Sequence, residues 1–198
     1  MFTNWKKIDA SEDKDVDPTL YRQLIGSLMY LANTKPDICY AFNTLSQLMG
    51  ELKRAHWAAA KHVIRYIQGT IDYGLLYTRS KDIRLNGFTH ANWVGSSVDR
   101  NSTSGYYFDI GSGMTSWCNR KQKSVALSSA EVEYMATSTA SCEAIWLRKL
   151  RVNLFRRKME ATGIMCDNHS CIKLSENPVF HDQSKHIDIR CHFVRDCV

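Results

Sequence analysis

Around Gly69 the spacing of the apolar residues changes period, and this change limits the folds open to the chain. Upstream, Leu24, Ile25, Leu28, Met29 and Leu31 recur at helical spacing and stop before Lys35-Pro36-Asp37, where the proline disfavours helix in the residue ahead of it. A second helix is predicted over residues 38–49. A third, over 54–68, sets Trp57, Ala60, Ile64 and Ile67 on one face, with Gly69 as its expected cap. Downstream the pattern is that of strands. Tyr73–Tyr77 and Ile83–His90 are short strand candidates, and Thr103–Ile110 and Met114–Cys118 flank Gly111-Ser-Gly113 as a hairpin. Asn119–Lys123 reads as a basic loop. Ser128-x-x-Glu131 is a capping-box signature that opens the longest helix, with Met135, Cys142, Ile145 and Trp146 as its expected buried stripe. A tiny strand, Ile164–Cys166, runs into Asp167, and two helical pieces follow, the second from about residue 188 to the end.

Three antiparallel strands, a long helix and a short strand returning parallel to the first predict an α/β fold with a mixed sheet, preceded by a helical segment. The expected organisation is a disordered acidic leader over 1–18, a helical region over 19–79 and a sheet domain over 80–198. A core is affordable: 44% of the 198 residues are apolar and only 3 are proline, which excludes collagenous and wholly disordered classes. Twenty-six Lys and Arg against 20 Asp and Glu leave a net charge of +6, which permits a polyanionic partner without demanding one. Seven cysteines without lattice spacing read as reduced thiols. With no apolar region behind Met1 that resembles a secretory signal, and no membrane-length apolar run, the expected location is cytoplasmic or nuclear.

Several long motifs, in order, carry a resemblance. Tyr21-Arg-Gln-Leu-Ile-Gly-Ser-Leu-Met-Tyr-Leu31, Lys35-Pro-Asp-Ile38, His56-Trp57 and Ile64-Arg-Tyr-Ile-Gln-Gly-Thr70 resemble the tail of the reverse transcriptase in Copia-type (Ty1/copia) retrotransposon Pol polyproteins. Asp99-Arg-Asn-Ser-Thr-Ser-Gly105, Ala126-Leu-Ser-Ser-Ala-Glu-Val-Glu-Tyr134, Cys166-Asp-Asn168 and Ser184-Lys-His-Ile-Asp-Ile-Arg190 resemble the ribonuclease H region that follows it. The resemblance implies a ribonuclease H-like sheet, C-terminally truncated here. It also implies cleavage of RNA in RNA–DNA hybrids by two Mg²⁺ ions held on four acids, because hard oxygen ligands suit Mg²⁺ and paired metals stabilise both the attacking and the leaving oxygen.

Carried over residue by residue, the first acid of this set falls on His90, within Phe88-Thr-His-Ala-Asn-Trp-Val-Gly95. The second matches Glu133, with Glu131 as the alternative register. Two residues apart on a helix differ by about 200°, so one of the two is expected to face the sheet. The third matches Asp167. The fourth is implied to follow the helix that includes Asp188, and the chain ends at Val198. Glu133 and Asp167 are thus the remaining ligands of an ancestral metal site. His90 reads either as a replacement ligand better suited to Zn²⁺ or Mn²⁺, or as a neutral, hydrogen-bonded residue, the second being preferred. Upstream, nothing resembles the polymerase acids. The expectation is a non-catalytic module without bound Mg²⁺, in weak contact with RNA–DNA hybrid or other nucleic acid.

Arg120, Lys121 and Lys123, with Arg156 and Arg157, could track a phosphate backbone or form a solvated face. Trp93 and Trp117 are expected in the core. Cys166-x4-Cys171 and Cys191-His192-x4-Cys197 lack zinc-finger spacing. Arg148-Lys-Leu-Arg151 spells the RxLR signature of secreted oomycete effectors, an alternative of the interaction-protein class, but its place deep in a helix favours a plain helical reading.

Overall fold

The computed structural model describes residues 16–50, 52–79, 84–93, 101–156, 160–176, 193, 194, 196 and 197. Most of the acidic leader, the motif over 184–190, Asp99, Asp188, Cys191 and Arg157 therefore lie outside the described residues. Two compact units divide the chain, Met1–Leu75 and Leu76–Val198.

The first unit is helical. Helix α1, Pro18–Ala32, opens on an Asp17 cap whose carboxylate accepts the Thr19 N–H at 2.8 Å, with proline in the first turn where no donor is needed. Its buried face is Tyr21, Ile25, Leu28 and Ala32, whereas Met29 is exposed. The single helix predicted over 38–49 is instead a 3₁₀ turn at Pro36–Ile38 followed by α2, Cys39–Ser46. Helix α3 is Arg54–Gly69, and its buried positions are Ala60 and Val63, with Ile64 turned outward. Trp57 and Ile67 of the predicted face pack against the cluster that Ala60 and Val63 share with Tyr21, and the Trp57 ring lies 6.4 Å from that of Tyr21. Lys35 fastens the end of α3 by donating from Nζ to the carbonyls of Thr70 and Tyr73, at 2.8 and 3.0 Å.

The second unit is an α/β structure on a four-stranded mixed sheet, as the order of elements predicts. Strand β1, Leu85–Asn92, pairs antiparallel with β2, Thr103–Ile110, which pairs antiparallel with β3, Gly113–Lys121. On the other side of β1 lies β4, Gly163–Cys166, running parallel to it, so the order is β3-β2-β1-β4. The hairpin turns at Gly111-Ser112, where Gly111 adopts φ 68°, a region glycine enters without steric cost. Two expectations fail here. Tyr73–Tyr77 forms no strand: its backbone has no ladder partner, and Tyr77 instead lays its ring over Gly113 and donates its hydroxyl to the Met114 carbonyl. The basic loop at 119–123 is also partly strand, since Asn119, Arg120 and Lys121 complete β3 opposite Gly105, Ser104 and Thr103.

Helix α4, Ser129–Phe155, lies on the face formed by Leu85, Phe108 and Ala91, and α5, His169–Glu176, packs against it. Its buried apolar positions are Val132, Tyr134, Met135, Ala136, Ala140, Ala144 and Leu147, with Glu131, Glu133, Ser138 and Ser141 buried beside them. Of the predicted stripe only Met135 is buried; Trp146 is 55% exposed and Cys142 is exposed. Alanines at 136, 140 and 144 share this interface with the larger Tyr134, Met135 and Leu147. Phe193 and Val194 close the same cluster as Cys171, and they are among the few described residues of the predicted final helix. No described helix is long and apolar enough to cross a membrane.

Candidate functional site

One end of the sheet gathers the titratable residues. Along β1 the burial alternates, so Thr89 and Ala91 turn inward while His90 and Asn92 turn out. His90 thereby reaches the rim with its side chain 69% exposed. Ser128 caps α4 by accepting the Glu131 N–H at 3.2 Å, and Glu131 accepts the Leu127 N–H at 2.7 Å, one residue before the position of a standard capping box. With Glu131 engaged there, Glu133 is the carboxylate that faces β1. Its Oε1 accepts the Ala91 N–H at 2.8 Å. Both glutamates are buried, but only Glu133 faces the sheet, as their angular separation on the helix requires.

Asp167 is supplied by the parallel strand. β4 ends at Cys166 beside Thr89, and Asn168 caps α5 by accepting the Cys171 N–H at 3.0 Å, which leaves Asp167 between strand and helix. His90 Nδ1 lies 3.2 Å from Glu133 Oε1 and 3.4 Å from Asp167 Oδ2. One ligand atom from each of His90, Glu133 and Asp167 falls within 4.8 Å of the others. Burial raises the Glu133 carboxyl above the ordinary range, the Ala91 N–H and His90 oppose that rise, and Asp167 adds to it. Its Oε2 is buried without a hydrogen-bond partner. Gln122 braces this end, donating from Nε2 to Ser104 Oγ at 2.6 Å and to the Val132 carbonyl at 3.1 Å.

Asn168 falls within the Cys166-Asp-Asn168 motif without a role attached to it, and neither Ala91 nor Gln122 is marked as a site residue by the sequence. A cap signal ahead of His169 could have revealed Asn168, whereas a backbone donor such as Ala91 N–H leaves no trace in residue type. Trp93, expected in the core, is 49% exposed, because β1 ends just before it. The basic residues do not form one patch. Arg120 is paired opposite Ser104, and Ser104 opposite Ala91, so the end of β3 shares the rim with His90. Arg156 is the left-handed cap of α4, 23 residues beyond Glu133 and hence about 35 Å along the helix. Arg148 and Arg151 lie inside α4, so the RxLR tetrapeptide is helical.

The orphan Glu133 Oε2 is suited to a cation, but the donor set does not match a pair of Mg²⁺ ions. Two carboxylates oppose only half the charge of two dications, and an imidazole nitrogen stands where a hard oxygen is needed.

Fold and site together define an α/β module with a histidine and two carboxylates at one end of a mixed sheet. The chain is 40% identical over all 198 residues to the retrovirus-related Pol polyprotein from transposon RE2 of Arabidopsis thaliana, and 41% identical over 95% of its length to that from transposon RE1 of the same plant. Over most of its length the chain is thus homologous, at 38–41% identity, to retrovirus-related Pol polyproteins of copia-type transposons. It spans only 14% and 13% of those two polyproteins. It is also 46% identical over 128 residues to secreted RxLR effector protein 161 of Plasmopara viticola, covering 64% of this chain and 90% of that protein. No protein-family model matches the chain. No solved structure matches it.

Proposed function

We propose that the second unit is a ribonuclease H-like module of a copia-type Pol polyprotein that engages RNA–DNA hybrid without cleaving it, the helical unit being the tail of a reverse transcriptase. The observation that carries this reading is the meeting of His90, Glu133 and Asp167 at one sheet end. These are the positions at which the resemblance implies three metal-binding acids, with an imidazole now at the first. The exchange removes one formal negative charge and an oxygen donor from a centre that has to hold two Mg²⁺ ions, so in-line hydrolysis loses its electrostatic support. Arg120 and Lys121 on the same rim supply cationic contacts to a phosphate backbone.

The test incubates the full chain with a labelled RNA–DNA hybrid in Mg²⁺ or Mn²⁺ and follows both cleavage and anisotropy. Expected are no product above the enzyme-free blank and a binding signal that weakens as salt rises. Turnover that Glu133→Gln abolishes would overturn the reading, and so would the absence of any salt-dependent binding.

A further inference from the structure

The separations around His90 are compatible with three donors of a single ion. A protonated imidazole committed to a carboxylate holds it at about 2.7–2.9 Å. The observed 3.2 and 3.4 Å exceed that range at both carboxylates. A tetrahedral ion bonded at about 2.0–2.1 Å to nitrogen and oxygen donors sets neighbouring donors about 3.3–3.4 Å apart. The two measured edges bracket this spacing. The third, between the two carboxylates, is within 4.8 Å and closes by rotation of Asp167, whose side chain is 70% exposed.

Two further observations point to a cation rather than to a self-contained triad. Glu133 is only 4% exposed, and while its Oε1 lies near His90 and accepts from Ala91, its Oε2 has no hydrogen-bond partner, so this buried carboxylate keeps acceptor capacity that a ligand could use. The Ala91 N–H holds the same carboxylate at 2.8 Å, the kind of outer-shell contact that fixes a ligand's orientation.

We propose that His90, Glu133 and Asp167 bind a single Zn²⁺ ion, one donor atom each, with solvent at the fourth position. One dication neutralises both carboxylates, and a mixed nitrogen and oxygen donor set is what Zn²⁺ accepts and Mg²⁺ avoids. The exposure of His90 and Asp167 leaves the outer side of the site open to water. This proposal concerns the same site as the function proposed above but rests on ligand geometry alone. Metal binding and hybrid binding therefore fail separately.

The test titrates the full chain with Co²⁺, reading the visible absorption of a tetrahedral site, and with Zn²⁺ by calorimetry in excess Mg²⁺. One equivalent of Zn²⁺ is expected, undiminished by Mg²⁺. His90→Ala, at an exposed position that the fold does not need, should weaken it at least about tenfold, and Glu133→Gln, which retains the acceptor for Ala91 N–H, should do likewise. His90→Asp should shift the preference from Zn²⁺ toward Mn²⁺ and Mg²⁺. Zinc affinity that His90→Ala leaves unchanged, Co²⁺ spectra dominated by thiolate bands, or equal binding of Mg²⁺ would each overturn the proposal.

Discussion

Gly87 is the position at which a single methyl group tests how the sheet is packed. It lies in the middle of β1, directly opposite Phe108 of β2. A Cβ built there would run into Phe108 Cε1 and come within 3.0 and 3.1 Å of Cδ1 and Cζ. The ring cannot move aside freely: Phe108 is fully buried in a cluster with Leu85, Ala140, Ala144 and Leu147. Overpacking of this kind costs about 1–3 kcal/mol, while replacing a strand glycine by alanine returns about 0.5–1 kcal/mol through backbone entropy. Gly87→Ala should therefore destabilise the second unit by about 1–2 kcal/mol, read as a lower urea midpoint with an unchanged slope. Trp93, Trp117 and Trp146 supply the fluorescence signal from that unit. In a Phe108→Leu background, which removes the ring edge, the same change should be neutral or stabilising. Equal cost in both backgrounds, or no cost in the first, would refute the packing argument.

Two other perturbations are expected to act at sites independent of this one. The Tyr21 hydroxyl donates to the Leu45 carbonyl at 2.9 Å inside the first unit, so Tyr21→Phe should cost about 1–2 kcal/mol in urea unfolding. Burial pushes that phenol from 10.0 up to about 12, so its contribution is complete below pH 10 and declines as pH rises toward 12; the phenylalanine variant should lose this alkaline sensitivity. Arg156 caps α4 at φ 53°, a conformation that costs a side-chain-bearing residue about 1–2 kcal/mol, so Arg156→Gly should stabilise the second unit by about 1 kcal/mol in chemical denaturation.

Periodicity located nearly every element, since long helices and a glycine-centred hairpin announce themselves by spacing alone. It misjudged which faces are buried. On α4 the large residues Trp146 and Leu150 face outward, while Tyr134, Met135 and Leu147 are buried together with Ala136, Ala140 and Ala144, so residue size alone does not mark the buried face. At Tyr73–Tyr77 a strand-like pattern had no partner to pair with, and pairing is a tertiary property that composition does not encode. The site residues were legible only through the resemblance. The capping-box pattern at Ser128 and Glu131 marks the glutamate that turns back to the helix start, whereas the backbone donor at Ala91 has no signature in residue type.

The two ends of the second unit divide stability from chemistry. Toward one end, Leu85, Phe108, Ala140, Ala144 and Leu147 form an apolar cluster, and the Gly87 contact belongs to it. At the other, Glu131, Glu133 and Gln122 are buried together, and Glu133 Oε2 and Gln122 Oε1 lack partners. An unsatisfied buried acceptor costs about 1–3 kcal/mol, and each could be removed by an apolar residue of similar volume. Two such atoms lie at this end, as expected where side chains are arranged for a ligand rather than for folding, while Thr162 Oγ1 beside the start of β4 is a further one. The apolar cluster offsets the cost. Because β1 runs through both ends, with Gly87 and His90 three residues apart, the rigidity that the cluster gives the strand also fixes the histidine against its carboxylates.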